Sequence, residues 1–227
     1  MIFHEMDIFI FIAFGVAMWA QSKVQSNFER YAKVGAKAQV TGLQVARKLL
    51  DEHGLYDVKV ELSKRGSLSD HYDPLKRVVR LSQPVYSRAS VASLSIAAHE
   101  VGHAIQHAEG YAMLKFRSLL FPAANLGSRS APILLILGFV MKFSPLIGIG
   151  IGLFSVAVLF QLATLPVEFD ASNRAKKELY RLGFVSETER TGVNRVLNAA
   201  ALTYVASAAI AALQLLKFVM IFAGGRD

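Results

Sequence analysis

A helix that crosses a bilayer needs about 20 mostly apolar residues in succession, and three stretches of this chain reach or approach that length. Met6 to Ala20 is almost wholly aliphatic and aromatic, Leu146 to Pro166 carries no charge, and Ala199 to Gly224 carries only Lys217, close enough to its end to reach the interface. A fourth run, Ala131 to Met141, is short alone. Extended back through Leu119, Leu120 and Phe121 it attains spanning length, though it then includes Asn125 and Arg129. Glu5 and Asp7 stand where a signal peptide would be basic, and no small-x-small cleavage pattern follows Trp19, so the first segment is expected to be a retained anchor. The fold class expected is mainly α and integral to the membrane, with about four transmembrane helices.

The composition agrees, with 53% hydrophobic and only 19% charged residues and a mean hydropathy of +0.38. An intrinsically disordered chain has the opposite balance. The absence of Cys excludes a disulfide scaffold and a thiolate metal site, which leaves His and carboxylates as metal ligands. The net charge of +8 is concentrated in two polar segments. One holds Lys23, Arg30, Lys33, Lys37, Arg47 and Lys48, and the other holds Arg174, Lys176, Lys177, Arg181, Arg190 and Arg195. Cytoplasmic loops carry the excess of Lys and Arg, so both segments are expected to face the cytoplasm from a multi-pass chain in the plasma membrane. The N-terminus and a short tail ending in Arg226 and Asp227 then lie outside, and the second and third spans turn near Lys142 to Pro145. On this reading the basic residues are juxtamembrane faces beside anionic lipid, and no nucleic-acid partner is expected.

The expected division is a first span at 1–22, a cytoplasmic α+β domain at 23–117, a transmembrane hairpin at 118–166, a second cytoplasmic segment at 167–198 and a last span at 199–227. Within 23–117, Val40, Leu43, Val45, Ala46, Leu49 and Leu50 have the spacing of an amphipathic helix, closed by His53-Gly54. Tyr56 to Leu62 alternates like a half-buried strand, Lys64 to Pro74 is rich in turn formers, and Val78 to Leu81 reads as a second strand. Ser87 or Ser90 can cap a helix running through Val91, Leu94, Ala97, Val101, Ala104 and Ile105 to Gly110.

That helix contains His99-Glu100-Val101-Gly102-His103. Two His at i and i+4 share a helical face and can bind one zinc ion, with the Glu between them placed to act as base on a metal-bound water. Six His and ten Glu in 227 residues would produce roughly 0.007 such matches by chance. A catalytic zinc also needs a third protein ligand. The position where one large protease class has a third His is Glu109, and the place of its Gly is Ile105. His107, one turn beyond His103, reads as a supporting or surface residue. Glu168 is the better candidate: leaving the cytoplasm by the second span and returning by the third puts it on the same side as His99. Asp170 is its rival, and the alternative is that both merely complement the N-terminus of a helix beginning after the third span.

Ser69-Asp70-His71-Tyr72-Asp73-Pro74, Arg80-Leu81-Ser82, Ala98 through Gln106, and Pro166 through Ala175 together resemble the YugP-type membrane zinc metallopeptidases of the neutral zinc metallopeptidase family. The likeness extends over most of the chain. More distantly the chain is similar to gluzincin membrane proteases of the HtpX and CAAX-endopeptidase kind, where a hairpin of spans also separates the HExxH helix from a Glu-bearing helix. The resemblance implies a zincin-like cytoplasmic domain with His99, His103 and Glu168 as zinc ligands and Glu100 as general base. Those distant relatives have an Asp four residues after the ligand Glu. Here that place is Ser172, and Asp170 is a candidate to orient a His instead.

The function expected is that of a membrane-anchored, zinc-dependent metalloendopeptidase in which Glu100 takes a proton from a zinc-activated water and returns it to the leaving amine. His71, Arg174 and Tyr204 are candidate oxyanion donors, and the Val78 to Ser82 strand is expected to receive an extended substrate by strand addition. Protein or peptide substrates, membrane proteins among them, and the lipid bilayer are the expected partners. Oligomeric state is left open. Two other classes compete. An intramembrane protease would hold the helix within the bilayer, which Ser93, Ser95, Gln106 and Glu109 disfavour despite a Gly before the second His. A non-catalytic zinc-binding scaffold would not need Glu100.

Overall fold

The structure is a computed structural model that describes residues 4–224, so the expected tail at Arg226 and Asp227 lies outside the described residues. It is mainly helical. In chain order the elements are α1 (Met6–Ala32), α2 (Gly42–Glu52), β1 (Lys59–Leu62), β2 (His71–Asp73), β3 (Val78–Leu81), α3 (Gln83–Ser87), α4 (Val91–Ala108), α5 (Ala112–Val140), α6 (Ser144–Arg181) and α7 (Glu187–Gly224). Four of them, α1, α5, α6 and α7, are long and apolar enough to cross a membrane. The doubtful second span is one continuous helix, α5, with Pro122 and Pro132 inside it. The chain divides into two units, one made of 1–19, 112–166 and 203–227, the other of 20–111 and 167–202.

The first unit is built from the apolar segments. Its large side chains point outward, Ile8, Phe11, Ile12, Leu119, Ile133, Ile136 and Ile149 among them, as expected where lipid rather than protein covers a helix. Glycines let α5 and α6 close on each other: a Cβ on Gly127 would lie 2.4 Å from the Leu153 carbonyl oxygen, and one on Gly150 would meet Leu135 at 2.9 Å. Lys217 of α7 donates to the Asp7 carboxylate of α1, pairing two opposite charges within those segments. The turn between α5 and α6 falls at the residues expected, with Lys142 in the left-handed region at φ 51°.

The second unit has an ordinary packed core of Val45, Leu49, Leu50, Leu81, Val85, Leu94, Val101, Leu179 and Val193. Thr41 and Gln44 form a reciprocal capping box at the start of α2. Ser90, not Ser87, caps α4 by accepting from the Ser93 backbone N–H. The sheet has the order β1-β3-β2. β3 is parallel to β1, pairing Lys59 with Val78 and Leu62 with Leu81, and antiparallel to β2, pairing His71 with Arg80 and Asp73 with Val78.

Three expectations change. The Val78–Leu81 strand is paired on both sides, so its main chain has no edge to offer a substrate. The physical sign was present in Val78 and Val79, adjacent residues that are both buried, as in a central strand. The segment from Lys64 to Pro74 is not turn alone, because β2 lies within it. No new helix begins at Pro166: α6 runs unbroken from Ser144 to Arg181 with Pro166 inside it. Glu168 and Asp170 are therefore not complementing a helix N-terminus.

Candidate metal centre

The site is assembled within the second unit from α4 and the last third of α6. Both faces of α4 are packed, and Glu100 is only 8% exposed. The approach of the two helices is set by Gly102, where a Cβ would lie 2.7 Å from the Ala171 carbonyl oxygen. At that distance one turn of α6 fits directly against His99 and His103. Glu168 then points between them, and one ligand atom from each of His99, His103 and Glu168 lies within 4.8 Å of the others.

Glu168 Oε2 is 3.3 Å from His99 Nε2 and 3.6 Å from His103 Nε2. It is fully buried and makes no hydrogen bond with either ring or with any other protein atom. A buried carboxylate oxygen left in this state is costly, and a cation bound between two imidazole nitrogens and that oxygen would relieve it. Two His and one carboxylate are a donor set that suits zinc, so the residues present fit the metal. Burial alone would raise the Glu168 carboxyl, but the His103 and His99 side chains beside it hold it well below the usual carboxylate range. Burial would also lower His103, yet Glu168 and Glu100 shift it upward instead. The Glu100 carboxyl is pushed up by burial against the pull of the two His, and Asp70 and Glu168 push in the same direction as burial.

A layer of uncharged groups stands behind the two rings. Ser172 Oγ lies 3.2 Å from His99 Nδ1, and Gln106 Oε1 lies 3.0 Å from His103 Nδ1. Gln106 Nε2 donates to the Val167 carbonyl and to Asp170 Oδ2, each at 2.8 Å. Arg174 in turn donates to Asp170 and to Glu109, both at 2.6 Å.

From residue 6 to residue 223 the chain matches the family described as "Putative neutral zinc metallopeptidase". It belongs to that family. It is also 55% identical over 223 residues to "Putative membrane protease YugP" of Bacillus subtilis (strain 168), an alignment that takes in 97% of this chain and 99% of the relative. No solved structure matches it.

In this member of the zinc metallopeptidase family the other candidate residues are accounted for individually. Asp170 faces Gln106 and Arg174 rather than the ligand group. His107 Nδ1 is 2.8 Å from the Tyr72 hydroxyl, away from that group. Of the candidate oxyanion donors, His71 is engaged by the Ser69 carbonyl and by Arg80, Arg174 by Asp170 and Glu109, and Tyr204 belongs to the unit of apolar helices. Sequence reasoning missed Gln106 as a partner of His103, although its place three residues on, on the same helical face, was the available signal. It also missed Asp70, whose carboxylate accepts from the Ser82 backbone N–H at 2.7 Å and hydroxyl at 2.9 Å.

Proposed function

We propose that the chain is a membrane-anchored zinc endopeptidase in which His99, His103 and Glu168 hold the metal and Glu100 is the general base. The observation that carries this reading is Glu168 Oε2, buried without a hydrogen bond between two ligand-capable imidazoles, with the buried Glu100 next to His99 in the chain. His99, His103 and Glu168 would hold the zinc, whose Lewis acidity would lower the pKa of a water and polarise a peptide carbonyl. Glu100 is the residue that would accept a proton from the attacking water and return it to the leaving amine. Its raised carboxyl suits both halves of that exchange, since a base whose pKa lies nearer the working pH also serves as an acid.

An extended peptide finds its edge at β2, which has a strand partner on one side only among the described residues. Tyr72 of that strand meets His107 of α4, so β2 runs beside the helix that carries the base. Strand addition there would present successive peptide bonds along α4. The active site is read as facing the cytoplasm, with protein or peptide substrates drawn from that side or from the bilayer itself.

The test is cleavage of casein or of a denatured membrane protein by the purified full chain, wild type against Glu100→Gln. Loss of about 10²–10⁴-fold in rate with zinc still bound is expected of a lost general base. Equal rates, or no cleavage by a zinc-loaded wild type, would sink the peptidase reading.

A further inference from the structure

We propose that Gln106 is a positioning residue for the metal centre, holding His103 as the Nδ1–H tautomer so that its Nε2 lone pair faces Glu168. This rests on the metal-centre reading given above, and it deepens that reading by naming what orients one of the ligands.

The amide of Gln106 has no ambiguity of orientation. The residue is 0% exposed, and its nitrogen end meets the Val167 carbonyl and Asp170 Oδ2 at 2.8 Å each. A backbone carbonyl only accepts, and Asp170 Oδ2, which also accepts from Arg174 Nε at 2.6 Å, is an acceptor as well. Both amide hydrogens are thereby used, and turning the amide over would set a carbonyl oxygen against two other acceptors. Its oxygen end is consequently the atom 3.0 Å from His103 Nδ1. A carbonyl oxygen cannot donate, so the hydrogen in that contact sits on Nδ1. A neutral imidazole has one N–H, which leaves Nε2 as a lone pair, and Nε2 is the atom turned toward Glu168.

Ser172 cannot do the same for His99. Its hydroxyl, 3.2 Å from His99 Nδ1, can donate or accept, so it supports the ring without fixing which nitrogen is protonated. Gln106 has a second property that Ser172 lacks: one side chain holds both the His103 ring and the backbone at Val167, the residue before Glu168. Two of the three ligands are thus referenced to a single buried amide.

The full chain in detergent, stripped of metal and brought to alkaline pH where imidazoles are neutral, gives a direct readout by ¹⁵N NMR of the His103 ring. A single Nδ1–H tautomer is expected in the wild type. Gln106→Met, of similar volume but without the hydrogen bonds, should show mixed tautomers and bind zinc about 10–100-fold more weakly at unchanged helix content. An Nε2–H tautomer in the wild type overturns the proposal, as does unchanged zinc affinity in a folded Gln106→Met. If that variant does not fold, the wild-type tautomer decides alone. A wild type with the Nδ1–H tautomer that binds no zinc overturns the metal reading and leaves the tautomer lock standing.

Discussion

Glu168 and Asp170 are two residues apart on α6, and at residue scale their different surroundings set the proposed ligand apart from its neighbour. Glu168→Gln removes the carboxylate from the group formed with His99 and His103 and should weaken zinc binding by more than the about 10–100-fold that loss of a supporting partner produces. Asp170→Asn leaves all three ligands in place and keeps an oxygen for Arg174 or Gln106, so its zinc affinity should stay within about 10-fold of wild type. Isothermal titration of both variants orders them, and the reverse order would make Asp170 the ligand. Asp70 gives a prediction about pH. Burial raises its carboxyl above the ordinary Asp value of about 3.9, the hydrogen bonds from Ser82 notwithstanding. An unfolded chain loses that proton first as pH rises, so ionised Asp70 burdens the fold above its folded pKa and not below about 3.9. Asp70→Asn retains an acceptor for the Ser82 N–H and a donor for its hydroxyl. Its melting temperature should exceed wild type near neutral pH, with the gap closing in acid; a gap that widens in acid refutes the assignment. His99, Glu100 and His103 were legible because one helix fixes their spacing, and Glu168 because the parity of the spans restricts which side it can occupy. Ser172 was not, nor was the hold of Gln106 on Val167 and Asp170, since these contacts join α4 to α6 and nothing local in the chain predicts that approach.

The approach is made at element scale by one missing side chain. Gly→Ala inside a helix ordinarily stabilises by about 0.5–1 kcal/mol, because Ala loses less backbone freedom on folding. At Gly102 the sign should reverse, since the new Cβ would stand 2.7 Å from the Ala171 carbonyl oxygen, part of a helix backbone that cannot rotate away. Gly102→Ala is expected to destabilise by about 1–3 kcal/mol, the range for overpacking, and to weaken zinc binding by driving His99 and His103 away from Glu168. Gly152→Ala in α6, where a Cβ meets nothing within 4 Å, is the control and should be neutral or stabilising. Thermal denaturation of the two variants checks the pair, and a stabilised Gly102→Ala would mean that α4 and α6 do not close through this position. The long helices and α2 were legible from periodicity and length, which are properties of the element itself. β2 was not, because His71, Tyr72 and Asp73 form a strand through pairing with β3 and carry no apolar alternation of their own. The unbroken course of α6 through Pro166 was also hidden, since a proline after an apolar run reads equally well as the first turn of a new helix.

At the scale of the whole molecule, the site exists only if α4 and the end of α6 emerge on the same side of the bilayer. That condition depends on α5 crossing it, and α5 is the helix whose apolar run was weakest in sequence, with Asn125 and Arg129 inside it. The absence of Cys from the chain makes the topology directly measurable, because any cysteine introduced is the sole thiol. Ser67 precedes β2, Lys142 stands in the turn between α5 and α6, and Lys177 lies on α6 beyond the ligand region; all three are exposed. The excess of Lys and Arg in the segments holding Ser67 and Lys177 predicts that both face the cytoplasm and Lys142 the opposite side. In intact cells a membrane-impermeant maleimide should label Lys142→Cys and spare Ser67→Cys and Lys177→Cys, which should react only after permeabilisation. If Ser67→Cys and Lys177→Cys instead label from opposite sides, α5 does not span, Glu168 cannot meet His99 and His103 in the membrane-bound protein, and the metal centre falls with the topology. If both label from outside and Lys142→Cys from within, the centre survives and only its cytoplasmic orientation is lost, because the hairpin that unites the ligands is indifferent to which face of the membrane they share.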